Sequence, residues 1–210
     1  MVRIVIRMGS VIVILLAASF ALAQTEFSAE MVDTQKPDHP TTGKMFFAKD
    51  KVRFESAKKD PRGGGEVIIN LTTQTVTVLM DQMHMYMEMP SQSPNARMSY
   101  GFFRTGDVEA ACSDWMQLAQ NKGSSCHKVG SDTVNGRSTV KYEATNSNGD
   151  TGEVWLDPKL RFPVKWQGKN ASWELRNIQE GTQPASLFEI PAGYQKMQMP
   201  AGMPNMSNPH

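Results

Sequence analysis

The chain has 210 residues, with 22 Lys and Arg against 21 Asp and Glu, and its formal net charge of +1 argues against a nucleic-acid-binding protein. Loss of Arg3 and Arg7 with an export signal would bring that charge to −1. The sequence also has no cluster of Lys and Arg with interleaved aromatic residues, which a groove that follows phosphates would need.

The first 23 residues have the features of a cleavable export signal. Arg3 and Arg7 form a basic start, an apolar run follows, and Ala21-Leu22-Ala23 is a cleavage signal of the A-x-A type. The apolar run is shorter than the roughly 20 residues that cross a bilayer. We expect cleavage after Ala23, no stable membrane span in the mature protein, and a location in the periplasm or outside the cell. The expected organisation is a signal at 1–23, one domain at 24–196 and a disordered Met- and Pro-rich tail at 197–210.

From Phe27 to about Ile178 the chain has short strand-like runs, separated by turn signals at intervals of about eight to twelve residues. Asn135-Gly136 and Asn148-Gly149 are each typical of a type I′ hairpin turn. These two signals predict that the run after Gly136 pairs with the run after Gly149. A softer turn is predicted at Asp81-Gln82.

One segment, TGDVEAACSDWMQLAQNKG, predicts an amphipathic helix. Asp107 is a suitable N-cap and Gly123 a suitable residue just past the C-terminus. The apolar positions recur with helical spacing and form one stripe: Val108, Ala111, Cys112, Trp115, Met116 and Ala119.

The two cysteines, Cys112 and Cys126, predict a disulfide in an exported protein. The bond would close a loop of about 15 residues and contribute about 3 kcal/mol in the chain-entropy model. It would fasten the helix to the strand that follows.

The widths of these elements decide the expected architecture. Nine or ten strands make a sheet about 45 Å across, whereas one helix covers about 10 Å of it. The sheet must therefore curl to cover its apolar face. We predict a mainly β (α+β) fold, a curved antiparallel meander forming a half-barrel with one amphipathic helix as cover.

The sequence resembles a known family at the run WELRNIQEGTQPASLFEIPAGYQKM, together with VWLD, FPVKW and VTVLM…MYMEM. These motifs look like the domain of unknown function 4412, a family of exported bacterial proteins that is similar to the LolA-like superfamily of periplasmic lipoprotein carriers and lipid-binding lipoproteins. The resemblance covers roughly residues 27–199. It implies an antiparallel half-barrel around an apolar groove that holds acyl chains, with a lipid or a lipidated protein as partner.

The run MDQMHMYMEMP, residues 80–90, places Met83, Met85, Met87 and Met89 at every second position. On a strand these side chains share one face, and flexible thioethers suit a lining for apolar contents. The first hypothesis is therefore a non-enzymatic exported protein that binds a lipid, an acyl chain or another apolar ligand without a cofactor. The predicted groove residues are these four methionines with Phe162, Val164, Trp166, Trp173 and Leu175.

The alternative hypothesis is a periplasmic binder of Cu(I) or Ag(I), because thioether sulfur is a soft ligand that selects such ions. A regular strand would put His84 on the face opposite the methionines, so a mixed site would need a break in the strand. The tail adds further soft ligands. The alternative set comprises Met83, Met85, Met87, Met89, His84, Met197, Met199, Met203, Met206 and His210.

The sequence gives little support to an enzyme. The four histidines, His39, His84, His127 and His210, match no metalloprotease, nucleophile-elbow or Cys/His arrangement. The run of glycines at 63–65 lacks the lysine and the following helix of a phosphate-binding loop. We therefore expect no catalytic residues.

Overall fold

The structure is a computed structural model, and it describes residues 24–35, 41–57, 64–90, 107–117, 122–169 and 171–197. Twelve strands form one sheet within this part of the chain, against the nine or ten expected. The strands are β1 Phe27–Asp33, β2 Thr41–Ala48, β3 Lys51–Ser56, β4 Gly64–Asn70, β5 Thr75–Met80, β6 Met85–Pro90, β7 Ser125–Val134, β8 Arg137–Thr145, β9 Thr151–Asp157, β10 Phe162–Gly168, β11 Ser172–Glu180 and β12 Gln195–Lys196.

The sheet consists of two antiparallel meanders joined edge to edge. Its order is β12-β6-β5-β4-β3-β2-β1-β11-β10-β9-β8-β7. The first meander runs outward from β1 to β6, and the second runs back from β7 to β11, which pairs with β1. The sheet does not close, so the predicted half-barrel is confirmed.

Local signals account for the hairpins. Asn135 and Gly136 both have positive φ, at 48° and 79°, as the predicted type I′ turn requires. The turn between β8 and β9 differs from the expectation. Gly149 has a φ of 84°, but the φ of Asn148 is not positive. The side chain of Asn146 closes a longer loop here, because it accepts the N–H groups of Asn148 and Asp150. The predicted pairing of these two strands is nevertheless confirmed.

The predicted helix begins as expected. The Asp107 side chain accepts the N–H of Glu109 and precedes a 3₁₀ turn, Val108–Ala110, which leads into α1, Ala111–Gln117. Residues 118–121 lie outside the described part. Val108, Ala111 and Trp115 pack on the sheet, but Met116 is 41% exposed, so the apolar stripe is narrower than predicted.

We call the side of the sheet that α1 covers the helix face. Tyr142 on β8 lies opposite Val154 on β9, which lies opposite Trp166 on β10, and all three belong to or pack against the cluster under α1. Directly opposite residues share a face. Trp166 in turn lies opposite Trp173, so the helix face continues onto β11.

The predicted disulfide joins Cys112 of α1 to Cys126 of β7, with Cα atoms 5.4 Å apart. It is consistent with an exported protein. The signal assigned to residues 1–23 lies outside the described residues. Within the part of the chain that is described, none of the helices has both the length and the apolar character for crossing a bilayer.

The other side of the sheet is covered by the chain that follows β11. A 3₁₀ turn, Ala185–Phe188, leads to β12, which pairs with β6 in parallel. Phe188 is buried against Ala48, Ile68 and Leu79, three residues of the face opposite α1. This segment, residues 184–197, is called the C-terminal segment below.

Candidate functional site

The helix face carries a partly exposed apolar row on four neighbouring strands. Met87 of β6 lies opposite Val78, Val78 opposite Val67, and Val67 opposite Phe54 of β3. All four side chains are half-buried. At about 4.8 Å between strands the row spans about 14 Å, and it contains no charged residue. We call these four residues the apolar row.

The apolar row borders the main core of the protein. Phe54 lies opposite Met45, which lies opposite Ala29, and these two are only 3% and 6% exposed. The parallel row that starts at Met89 continues through Val76 to Phe27 and is largely buried. Well-packed core residues therefore lie directly beside the apolar row.

Aromatic side chains lie over glycines on the same face. A Cβ atom at Gly152 would be 2.4 Å from Cη2 of Trp166, and one at Gly168 would be 3.0 Å from its Nε1. A Cβ at Gly43 would lie 2.9 Å from Cζ of Phe54. Because these positions carry no side chain, both rings rest on the backbone.

The methionine run is divided between a strand and a turn. Met85, Met87 and Met89 alternate along β6 and share the helix face with their partners on β5. Met83 was expected on the same strand but does not lie on it. It ends a 3₁₀ turn, Asp81–Met83, and is 47% exposed, because the chain reverses there between Met80 and Met85.

Met80 is a site residue that the sequence pattern did not single out. It lies directly opposite Met85, at the last pair before the turn, and is half-buried. The turn predicted at Asp81-Gln82 could have indicated this contact, because a hairpin that turns there brings Met80 and Met85 together.

His84 is directed away from the strand methionines. It adopts the left-handed conformation, with φ of 48°, and its ring centroid lies 5.7 Å from that of Tyr194. Tyr194 packs with Leu79 and Tyr86 on the side of the C-terminal segment. A site that combines His84 with Met85 and Met87 is therefore not assembled. No group of three or more His, Cys, Asp or Glu side chains that could hold a metal ion occurs among the described residues.

The aromatic and aliphatic groove candidates differ in accessibility. Trp166 and Trp173 are half-buried and directly opposite each other. Phe162, Val164 and Leu175 are 0%, 1% and 0% exposed and belong to the main core. A β-bulge at Val164 between β9 and β10 accompanies this packing. The surfaces of these three side chains contact other side chains rather than open space.

Of the tail candidates, Met197 is described: its N–H donates to the carbonyl of Tyr86 at 2.8 Å, just beyond β12. This hydrogen bond extends the ordered C-terminal segment to the first residue of the predicted tail. Met199, Met203, Met206 and His210 lie outside the described residues.

A polar cluster holds the C-terminal segment. Arg53 is 8% exposed, donates to the carbonyl of Leu187 at 2.9 Å and forms an ion pair with Glu66. The hydroxyl of Tyr194 donates to Asp81 at 2.7 Å, and this bond, with burial, raises the pKa of Tyr194 to about 12. Burial also raises the pKa of Glu66. These groups serve to fasten a chain segment.

A polar cleft with charged walls is also structural. It measures about 340 Å³ and lies at the turn between β9 and β10. Asp157 accepts the N–H groups of Lys159 and Leu160 and pairs with Arg137. Hydrogen bonds from Lys159 and Arg137 lower the pKa of Glu180. The charged groups that line this cleft are therefore all paired with one another.

Comparison with known proteins identifies similar folds. No protein-family model matches the sequence, and no curated protein matches it. Membership in the domain of unknown function 4412 therefore stays a prediction. An uncharacterized conserved protein from Thermus thermophilus aligns with a TM-score of 0.52 and 11% identity, over 84% of this chain and 91% of that one. This likeness concerns the fold alone.

Two further solved structures align less well. One is the complex structure of Pseudomonas aeruginosa MucA/MucB, with a TM-score of 0.37 and 17% identity. That alignment covers 79% of this chain and 56% of the other. The other is a LolA superfamily protein from Nitrosomonas europaea, with a TM-score of 0.30 and 9% identity over 79% of this chain and 89% of that one. The neighbours thus include the superfamily suggested by the sequence, at scores too low to support a functional argument.

Proposed function

We propose that this is an exported, non-enzymatic protein that binds an acyl chain of a lipid or lipidated protein along the apolar row. The observation that carries the proposal is the row itself, four half-buried apolar side chains on four adjacent strands. Isolated exposed apolar residues are ordinary, but a contiguous uncharged set beside a packed core is typical of a binding surface.

The chemistry of the row favours a flexible apolar chain over a rigid polar ligand. Val67 and Val78 offer only methyl groups, and Met87 adapts its shape through three rotatable bonds. Phe54 lies against the backbone at Gly43, so it adds apolar surface without blocking the row. Trp166 and Trp173 add a second apolar platform on the same face.

A chain-length series tests the chemical class of the ligand. Each methylene that is buried contributes about 0.8 kcal/mol, or about fourfold in affinity. Saturated fatty acids of increasing length should therefore displace a dansyl-labelled fatty acid with steadily rising affinity until the row is filled. Displacement that does not depend on length would contradict an acyl-chain site.

The double variant V67T/V78T tests the location. Threonine keeps the shape and strand propensity of valine but places hydroxyl groups in the row. We expect the affinity for the dansyl fatty acid to fall by about tenfold. Val129→Thr is the matched control, because Val129 is 51% exposed on β7, far along the sheet order from the row. Equal affinities for V67T/V78T, V129T and the wild type would rule out the row.

A further inference from the structure

We infer that Met80, Met85 and Met87 form a thioether site for a soft monovalent ion, Cu(I) or Ag(I), at the turn end of the β5–β6 hairpin. The argument starts from the register. Met80 lies directly opposite Met85, and Met87 follows Met85 by two residues on the same face. All three side chains are half-buried, which leaves part of each accessible from solvent.

The spacing suits a single ion. Directly opposite strand residues have Cβ atoms about 5 Å apart, and diagonal neighbours have Cβ atoms about 7 Å apart. Methionine is unbranched and has three rotatable bonds, so three sulfurs at these spacings can converge above the sheet. Thioether sulfur selects Cu(I), and Ag(I) is a soft ion of the same charge.

This site differs from the one that alternation in the sequence suggests. Met89 belongs to the next row, opposite the buried Val76, and His84 is turned to Tyr194. Met80 takes their place because the hairpin turn folds it onto Met85. Met83, in the turn between them and 47% exposed, is the nearest additional thioether along the chain.

The first experiment uses the wild-type full chain with methionine methyl groups labelled with ¹³C. Titration with Ag(I), which undergoes no redox change, should shift the methyl resonances of Met80, Met85 and Met87. Those of Met45, which is 3% exposed in the core, and Met116, which is exposed on α1, should stay in place. Unmoved resonances of Met80 and Met85 would overturn the site without any mutation.

The second experiment measures affinity by anaerobic competition with a chromophoric Cu(I) chelator. The variant M80L/M85L/M87L conserves volume and so preserves packing, but it removes the three sulfurs. We expect its Cu(I) affinity to fall by at least about tenfold. Met116→Leu is the matched control. A full chain with Met199, Met203 and Met206 changed to leucine should keep wild-type affinity. Loss of binding in that tail variant alone would overturn the hairpin site.

The thioether site shares Met87 with the apolar row, but the two tests separate the metal site from acyl binding. If Ag(I) does not shift the three methyl resonances but the dansyl fatty acid binds normally, only the metal site is ruled out. Ag(I) shifts without fatty-acid binding would leave the metal site and remove the proposed function.

Discussion

Gly152 and Gly168 lie directly opposite each other on β9 and β10, and the indole of Trp166 occupies the space that side chains would take there. Glycine by itself weakens a strand, but here the two glycines leave room for a large aromatic ring to pack on the backbone. Gly43 and Phe54 repeat it on β2 and β3. At the residue scale, the shape of the helix face therefore depends on where side chains are missing.

The substitution Gly152→Ala tests this packing. Its Cβ would come within 2.4 Å of the ring of Trp166, so the indole must move. We expect a loss of about 1–3 kcal/mol in the free energy of unfolding and a changed tryptophan emission. Urea denaturation followed by circular dichroism measures the first effect. Gly65→Ala is the control, because its Cβ would have no neighbour closer than 4.0 Å. Equal stability of the two variants would contradict the account.

At the scale of elements, α1 is short and depends on specific bonds to the sheet. The buried hydroxyl of Tyr142 donates to the carbonyl of Val108 at 2.5 Å. Lys128 of β7 pairs with Glu109, and the disulfide joins Cys112 to the same strand. A helix of two turns is marginal in water, so these contacts decide whether it forms.

The pH dependence of stability should report the contact at Tyr142. Burial, with the negative charges of Glu109 and Asp107, raises the pKa of Tyr142 to about 12. A group whose pKa is higher in the folded than in the unfolded state stabilises the protein fully below its unfolded pKa of about 10. That stabilisation is lost as the pH rises from about 10 through 12.

The variant Tyr142→Phe should therefore be less stable than the wild type by about 1 kcal/mol at neutral pH, since it loses one hydrogen bond. It should also lose less stability between about pH 10 and 12, because Phe does not ionise. Urea midpoints measured over this range provide the comparison. Parallel curves for the two proteins would show that Tyr142 is not the group responsible.

At the scale of the whole molecule, β1 connects the two meanders. It pairs with β2 on one side and with β11 on the other. Phe27 is fully buried there, with its ring centroid 5.6 Å from that of Phe47 and 5.1 Å from that of Phe162. Three rings from β1, β2 and β10 thus bind both halves of the sheet into one core.

The variant Phe27→Ala should destabilise both halves together, by about 3–5 kcal/mol. All four tryptophans lie in α1 and β9–β11, so their fluorescence reports one half. Hydrogen exchange of β2–β6 reports the other. The control is Phe46→Ala, a half-buried residue under the C-terminal segment, with a smaller expected loss. Unchanged exchange protection of β2–β6 in Phe27→Ala would show that the meanders unfold separately.

Much of the fold was predictable because its signals are local. Asn135-Gly136 specifies a tight turn by itself, Asp107 caps the helix that starts beside it, and Cys112 and Cys126 are the only cysteines. The shortage of helical cover also predicted a curled sheet correctly. Met87 of the apolar row and two of the three proposed thioether ligands followed in the same way, since alternation along β6 determines that Met85 and Met87 share a face.

By itself, the sequence therefore determined the hairpins, the helix start, the disulfide and the alternation of Met85, Met87 and Met89, because each depends on residues that are close in the chain or unique in it. Only the tertiary structure decided that β1 pairs with β11, that the C-terminal segment covers the face opposite α1, and that Met80 replaces Met83 and His84 beside Met85. Each of these contacts joins residues that are far apart in the chain or depends on the exact place of a turn, and no short pattern in the chain encodes it.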